Sequence, residues 1–338
     1  VNFSPMKKKI ALVTGGFTGE SVISLKSAAV VEKTIDRALY EVFTIYIYPG
    51  DWYHLTASGE KIAVDLNDFS LQLGDQKITF DGVFTILHGS PGEDGKLAGY
   101  FDLLGIPYTT CDQLTSAITM NKGYTKAIVQ TIPELQVARS MQLFEQEPTA
   151  AVKIQEELQL PLFIKPNNGG SSIGMSKVKT WEELPEALDK AFAEDTQVLV
   201  EEFVSGREFS VGIFKASGQV TVLPATEIVS SKEFFDYESK YVPGVCEEIT
   251  PGRMNSEEVA RVERIAKKVY AVLNCKGAVR IDYFLQEDTG AFYFIEINTV
   301  PGQTETSLIS QQVRATGMEV SVFYTCLIEE MFAAAAKK

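Results

Sequence analysis

The chain has 338 residues, which is longer than a chain built around one hydrophobic core usually is, and this length predicts two or three domains. Hydrophobic residues make up 45% and charged residues 22%, which is ordinary for a folded protein and excludes disorder as its main character. The formal charge of -14 argues against a nucleic-acid partner, because a phosphate backbone is bound by a basic surface.

The first predicted element is a strand that runs into glycines. The run 7–14 leads to Gly15 and Gly16, and a helical pattern follows over 21–35. Backbone N–H groups at such a strand, turn and helix N-terminus can meet an anion. A dinucleotide site is the weaker interpretation, because the glycine spacing is not G-x-G-x-x-G.

Two further strands, 42–48 and 82–87, continue an α/β pattern, and the pieces 61–66 and 76–80 between them predict a small hairpin. The second strand is followed by a polar, glycine-rich loop at 88–95, where α/β folds place ligands. His88 begins this loop, although a single histidine is more often a packed or capping residue. We interpret Glu93 and Asp94 as the N-cap and first-turn acid of the next helix.

The central part of the chain contains a strand that ends at a flexible loop. A helix opens near Lys122, where a lysine is usually solvated. Strand 162–166 carries Lys165, and the loop 167–174 after it contains Ser171 and several glycines. The N–H and hydroxyl groups of such a loop can close over phosphates, whereas an ordinary surface turn is the alternative. It is not a Walker loop, since no Gly-Lys-Ser/Thr enters a helix.

A strand and a long loop are predicted on either side of the start of the last third of the chain. A β run at 197–204 ends at Val204 and precedes Glu208. A later aromatic and charged loop, 233–244, contains Lys240 and Tyr241. Aromatic residues in loops usually anchor the loop, but long functional loops also serve as lids.

The segments 277–286 and 291–298 predict a β-hairpin. If the loop is Asp288 to Gly290, with Gly290 at positive φ, Asp282 lies opposite Glu296 and Arg280 opposite Asn298. These four polar side chains then share one face of the hairpin. The opposite face takes the apolar residues Ile281, Tyr283, Ile295 and Ile297.

The polar face of this hairpin offers oxygen ligands. Asp282, Glu296 and Asn298 suit Mg²⁺, which often shares its coordination shell with substrate phosphates. A solvated strand face with an arginine–carboxylate pair would give the same spacing.

The segment after the hairpin passes through Pro301 and Gly302 towards a helix near Ser307. The string Arg280 to Asp282 followed by Glu296 to Gly302, together with the loops described above, resembles the D-alanine:D-alanine ligase family of ATP-grasp ligases. The resemblance covers nearly the whole chain. It implies an α/β fold, with α+β character in the ATP-binding part: an ATP-grasp fold with an N-terminal Rossmann-like domain. The implied domains are 1–110, 111–201 and 202–338.

The resemblance also implies roles for individual residues. The catalytic group would be Glu20, Ser171, Tyr241, Arg280 and Gly302. The substrate-binding group would be His88, Lys240, Ser307 and Leu308. The nucleotide-binding group would be Lys122, Lys165, Glu201, Glu202, Val204 and Glu208. The metal ligands would be Asp282, Glu296 and Asn298. The chain departs from the family pattern at Thr18, which replaces a usual serine, and at Glu202, where lysine is frequent.

The activity implied by the resemblance is ATP-dependent joining of two D-alanines through an acyl phosphate, for peptidoglycan precursors. Two Mg²⁺ ions, replaceable by Mn²⁺, and a homodimer are implied with it. Two alternatives stay open. One is a nucleotide-binding regulator without chemistry; the other is an ATP-grasp enzyme that uses another acceptor, such as D-lactate or D-serine.

The four cysteines are widely spaced, without a C-x-x-C motif, and predict reduced thiols instead of a zinc or disulfide framework. The sequence has no apolar run of membrane-spanning length, and segment 1–9 lacks the apolar core of a signal peptide. We therefore expect a cytoplasmic protein without a membrane partner.

Overall fold

The computed structural model describes residues 7–170, 173–230 and 246–337. Three β-sheets with flanking helices make up this part of the chain. Ser171, Lys240 and Tyr241, which the sequence places at the site, lie outside the described residues.

The first sheet has a parallel centre and an antiparallel extension. The parallel strands are β1 (Lys8–Gly15), β2 (Tyr40–Tyr48) and β7 (Gly82–Thr85). The extension consists of β3 (Asp51–Leu55), β4 (Lys61–Asp65), β5 (Ser70–Leu73) and β6 (Gln76–Ile78). The predicted small hairpin was therefore wrong: β5 lies between the two predicted pieces and pairs with both. Helices α1 (Ser21–Thr34) and α2 (Lys96–Leu104) follow β1 and β7.

The second sheet is antiparallel and smaller. Its order is β11 (Ser176–Val178), β10 (Leu162–Pro166), β12 (Val198–Glu202) and β9 (Ser140–Leu143). Helices α5 (Ala150–Glu157) and α6 (Leu184–Phe192) contribute buried aliphatic residues to its core.

The third sheet carries the predicted hairpin in its middle. The hairpin strands are β17 (Ala278–Leu285) and β18 (Phe292–Asn298). On its other edge β17 pairs with β13 (Arg207–Ala216). The remaining described strands are β8 (Leu135–Val137), β14 (Gln219–Val222), β15 (Thr226–Ser230) and β16 (Cys246–Ile249). The helices of this part are α3 (Gln113–Met120), α4 (Lys122–Val129), α7 (Ser256–Val272), α8 (Leu308–Ala315) and α9 (Val320–Ala335).

One hydrophobic cluster joins the first sheet to the third. Leu12 and Phe84 of the first sheet share it with Phe214 of β13 and with Phe323 and Tyr324 of α9. Burial of apolar side chains is the main favourable term in folding, so this shared cluster fixes the two sheets against each other. No helix within the described ranges has the length and apolar character needed to cross a membrane.

Candidate active site

One large cleft opens where the three sheets meet, with a volume of about 1920 Å³. It is larger than a usual small-molecule pocket of roughly 300–1,000 Å³, so it has room for more than one ligand. Every predicted site residue that the structure describes lines it: Glu20, His88, Lys122, Lys165, Glu201, Glu202, Val204, Glu208, Arg280, Asp282, Glu296, Asn298, Gly302, Ser307 and Leu308.

The hairpin β17–β18 has the predicted pairing at the site, with Asp282 opposite Glu296 and Arg280 opposite Asn298. The predicted loop was one residue too short, because the Gln286 N–H donates to the Ala291 carbonyl and closes a four-residue loop. A β-bulge next to Asp282 restores the pairing.

The bulge changes the predicted face of one residue. Phe294 is buried in the core cluster beneath the sheet, whereas Ile295 is half-buried and is not part of that cluster. Both residues border the cleft. The prediction that Ile295 lies on the buried face was therefore wrong. In a regular strand Phe294 and Glu296 would share a face; the extra residue lets the phenyl ring enter the core while the carboxylate faces the cleft.

Asp282 is the most constrained of the predicted metal ligands. It is buried, it accepts hydrogen bonds from Arg280 at 3.0 and 2.9 Å, and the Ser210 hydroxyl donates to it at 2.5 Å. Burial disfavours the Arg280 charge, but Asp282 more than offsets this and the pKa of Arg280 is raised. The arginine and the aspartate thus form a two-bond pair at the cleft floor.

The side-chain oxygens of Asp282, Glu296 and Asn298 are of the kind that Mg²⁺ prefers. Asn298 has a buried side-chain nitrogen without a hydrogen-bond partner in the structure, and Glu296 faces Asp282 across the hairpin. The described residues contain no group of three or more His, Cys, Asp and Glu side chains suited to a metal. An ion here would therefore depend on the Asn298 amide and on oxygens from outside the protein, as Mg²⁺ commonly does.

The segment after β18 brings backbone donors and hydroxyl groups to the same floor. The Ser307 hydroxyl accepts a hydrogen bond from the Thr304 N–H at 2.9 Å and lies 2.7 Å from the Thr304 hydroxyl. A Cβ on Gly302 would lie 2.9 Å from Ser307 Oγ, so glycine allows this close approach. Ser307 precedes α8, whose first residue is Leu308.

Glu20 and His88 lie on the opposite wall, which belongs to the first sheet. Glu20 precedes α1, and its carboxylate approaches two glycines: a Cβ on Gly89 or on Gly170 would lie 2.9 or 2.7 Å from its oxygens. The His88 N–H donates to the buried hydroxyl of Ser24 at 2.9 Å. Burial lowers the pKa of His88 to about 4, so its imidazole is neutral at pH 7.

Glu93 has a role that the sequence did not reveal. It was predicted to begin a helix, but α2 starts at Lys96, and the Glu93 carboxylate accepts from the N–H groups of Gly89 at 2.8 Å and Val300 at 3.2 Å. It therefore connects the loop after β7 with the segment after β18. Burial and the nearby Glu20 carboxylate raise the pKa of Glu93 to about 7.

Helix α4 begins as predicted, and it is fixed by amides. The Asn121 side chain accepts from the Tyr124 N–H at 3.0 Å, and the buried Asn167 side chain accepts from the Gly123 N–H at 3.0 Å. These bonds satisfy N–H groups that the first turn of a helix leaves without partners. The Lys122 ammonium donates to the Gly169 carbonyl, which places it against the loop 167–174.

A second lysine of this helix was missed. Lys126 is buried, and its ammonium contacts one oxygen of the Glu201 carboxylate, while Lys165 contacts the other. Glu201 is also buried, with 6% of its surface exposed. The signal was the four-residue spacing from Lys122, which places both lysines on one helix face.

The strand β12 and the residues after it form the remaining wall. The Glu202 side chain accepts from the Gln159 N–H at 3.0 Å, so it points to a neighbouring loop as well as to the rim of the cleft. The rings of Phe163 and Phe203 lie 5.7 Å apart and also line the cleft. Their apolar surface suits a flat ligand such as a nucleobase.

Comparison with known families identifies related proteins over most of the chain. The model described as "D-ala D-ala ligase N-terminus" matches residues 9–111, and the model described as "D-ala D-ala ligase C-terminus" matches residues 126–331. The D-alanine–D-alanine ligase of Bacteroides fragilis is 41% identical over 97% of this chain and 100% of the relative. The ligase of Flavobacterium johnsoniae is 41% identical over 95% of this chain and 98% of the relative.

Solved structures give the same picture for the fold. The VanG D-Ala:D-Ser ligase from Enterococcus faecalis superposes with a TM-score of 0.87, at 33% identity over 96% of this chain and 100% of that one. The D-alanine–D-alanine ligase from Coxiella burnetii gives a TM-score of 0.85, at 26% identity over 98% of this chain and 95% of that one. The predicted ATP-grasp fold is thereby confirmed.

Proposed function

Because the chain belongs to the D-ala D-ala ligase family, we propose that it uses ATP to join two molecules of D-alanine for cell-wall precursor synthesis. The observation that supports the proposal is the cleft, which is lined by Glu20, by Lys122 and Lys165, and by Asp282 and Glu296. These residues would bind an ammonium group, phosphates and metal ions respectively. The sequence supplies each of them from a different sheet.

The first D-alanine would lie between Glu20 and the floor. A carboxylate beside Gly89 and Gly170 can hold an ammonium group, and the neutral His88 can contact the substrate without repelling it. Ser171 and Tyr241 would complete this site; both lie outside the described residues.

The nucleotide would lie between the second and third sheets. Lys122 and Lys165 would meet its phosphates, and Glu201, Val204 and Glu208 would bind the adenosine. Two Mg²⁺ ions, or Mn²⁺, fit the oxygen donors of Asp282, Glu296 and Asn298, and when bound they would neutralise charge on the transferring phosphoryl group. Glu202 would contribute to adenosine binding through its backbone groups.

In the first step a carboxylate oxygen of the first D-alanine attacks the γ-phosphorus of ATP, the bond to ADP breaks, and an acyl phosphate forms. The neutral amine of the second D-alanine then attacks the acyl carbon, phosphate leaves, and the amine loses a proton. The Arg280 guanidinium and the Gly302 N–H would stabilise the oxyanion of the tetrahedral intermediate, which forms when the amine attacks and collapses when phosphate leaves. Ser307 and Leu308 would hold the second carboxylate. Lys240, which lies outside the described residues, would bind phosphate or the substrate carboxylate.

Three further assignments belong to the same proposal. The chain would act as a homodimer in the cytoplasm. Its parts would be residues 1–110, 111–201 and 202–338. These assignments rest on the family resemblance.

The experiment is an assay of ADP release with D-alanine, D-serine and D-lactate as second substrates, with product identification by mass spectrometry. We expect D-alanyl-D-alanine from ATP and D-alanine, and little product with the other acceptors. ATP binding without D-alanine-dependent ADP release would instead favour a nucleotide-binding regulator. Faster turnover with D-serine or D-lactate would reassign the acceptor.

A further inference from the structure

The buried carboxylate of Glu201 is surrounded by lysines. Lys126 of α4 contacts one of its oxygens and Lys165 of β10 contacts the other, and Lys122 lies one helical turn from Lys126. Lys126 and Glu201 are 4% and 6% exposed, so their pair lies in a poorly solvated place. A buried charge is costly unless it is paired, so each of these two charges depends on the other.

The two lysines differ in what a nucleotide would do to them. Lys165 is the last residue but one of β10, close to the loop 167–174, so a triphosphate would compete with Glu201 for its ammonium. Lys126 is more deeply buried and would remain with Glu201. Burial, Lys165 and Lys122 lower the pKa of Lys126. Its contact with the Glu201 carboxylate acts in the opposite direction and favours the charged ammonium.

We propose that Lys126 is a specificity-determining positioning residue, which keeps Glu201 ionised and thereby selects adenine over 6-oxopurine nucleotides. The proposal deepens the function proposed above and rests on it. An ionised carboxylate can only accept hydrogen bonds, so it binds the exocyclic amine of adenine and repels the carbonyl oxygen at position 6 of hypoxanthine or guanine. Without the Lys126 charge, Glu201 gains a proton when Lys165 moves to the phosphates, and a protonated carboxyl group can donate to that carbonyl.

The test compares kcat/KM for ATP and ITP in the wild-type enzyme and in Lys126→Met, which keeps the length of the side chain and removes its charge. We expect the preference for ATP over ITP to fall by about tenfold or more, the scale of one mismatched buried hydrogen bond. Lys126→Arg keeps the charge and should retain the preference. Glu201→Gln, whose amide both donates and accepts, should lose it in the same way as Lys126→Met.

Binding measurements separate this proposal from the proposed function. Calorimetric titration with ADP and IDP reports base selection without turnover, and it also serves if D-alanine does not support ADP release in the wild-type enzyme. Lys126→Gln, which can still donate to Glu201, replaces Lys126→Met if that variant does not fold. A neutral Lys126 variant that weakens both nucleotides by the same factor would overturn the proposal, as would an unchanged ATP to ITP ratio.

Discussion

Glu227 is a buried carboxylate that borders the cleft and has no assigned part in the proposed reaction. One oxygen accepts from the Arg207 guanidinium at 2.9 Å, and the other accepts from the Arg253 backbone and side chain at 3.1 and 2.7 Å. Burial raises the pKa of Glu227, but the hydrogen bonds from Arg253 and Arg207 outweigh it and set the pKa to about 2. The contacts thus connect the start of β13 to the segment before α7.

Substitution Glu227→Gln should destabilise the protein in a pH-dependent way. The folded pKa is depressed, so the carboxylate stabilises the fold above its unfolded pKa and loses this effect as the pH falls through the folded pKa. The shift from 4.5 to about 2 corresponds to about 3 kcal/mol. Chemical denaturation from pH 3.5 to 7 should show a constant gap between wild type and variant above about pH 5.5, and a narrowing gap below 4.5.

The control for this substitution is Glu134→Gln. Glu134 pairs with Arg264 and Lys268 on the surface, where such pairs contribute little. A gap that is the same at all pH values for Glu227→Gln would show that its contribution comes from packing.

Glu296→Gln should nearly abolish turnover while the fold is retained. An amide would not supply the negative charge with which the Glu296 carboxylate would hold Mg²⁺. Initial rates should be measured over a range of Mg²⁺ concentrations, with Glu287→Gln on the loop of the same hairpin as the matched control. Full activity of Glu296→Gln at ordinary Mg²⁺ would remove Glu296 from the metal set.

At the scale of the element, the hairpin β17–β18 depends on its loop. Gly290 has a φ of 65°, in the left-handed region that β-branched residues avoid. A Cβ there would meet Arg261 at no closer than 3.5 Å, so backbone conformation and not crowding sets the cost. The substitution therefore tests the loop conformation separately from packing.

Gly290→Val should lower the free energy of unfolding by about 1–2 kcal/mol. Asparagine tolerates the same conformation, so Gly290→Asn should cost less and is the matched control. Equilibrium unfolding in urea measures both variants. If valine and asparagine lowered the free energy of unfolding equally, the cost would come from the presence of any side chain at this position and not from its preference for φ.

The same hairpin shows how far the sequence reaches. Alternating apolar and polar residues predicted which carboxylates share a face, and the structure has that pairing at Asp282 and Glu296. The bulge was not predicted, although Phe294 and Ile295 are adjacent apolar residues and mark a change of phase in the alternation. The real loop is one residue longer than predicted, which shifts the strand register by one residue, and the bulge shifts the register back by one. The predicted pairs at Asp282 and Arg280 are therefore correct.

Contacts between segments that are distant in the sequence were harder to predict. Glu93 was assigned to a helix start from its neighbours, but its partner Val300 lies 207 residues away along the chain. Lys126 was overlooked because a lysine in a helix is usually solvated, and its burial against Glu201 depends on the position of α4 relative to β12. Local patterns predict elements, whereas burial of polar groups follows from tertiary packing.

At the scale of the whole molecule, the three sheets are unequally supported. The first and third sheets share the hydrophobic cluster that contains Phe84, Phe214 and Tyr324. The second sheet has its own core of aliphatic side chains, such as Ile154, and the described residues place no buried aromatic side chain in it. Regions with smaller cores open at lower free energy, so the second sheet should open before the other two.

Hydrogen exchange tests this order and the position of the nucleotide together. In the free protein, amides of β10 and β12 should exchange through an opening of lower free energy than amides of β1 and β17. A nucleotide that joins Lys165 of the second sheet to Glu296 of the third should oppose that opening. At 100 times the Kd, ADP with Mg²⁺ should add about 2.7 kcal/mol, or roughly a hundredfold slower exchange in β10 and β12.

The variant Lys165→Ala should reduce this protection, because it removes the contact between the second sheet and the phosphates while leaving β10 paired on both sides. Lys190→Ala on α6, outside the cleft lining, is the matched control and should keep the protection. If ADP slowed exchange equally in all three sheets, the nucleotide would stabilise the molecule as one unit. If β10 and β12 were already as protected as β1 without nucleotide, the second sheet would not open separately, and ligand entry would then occur through motion of loops.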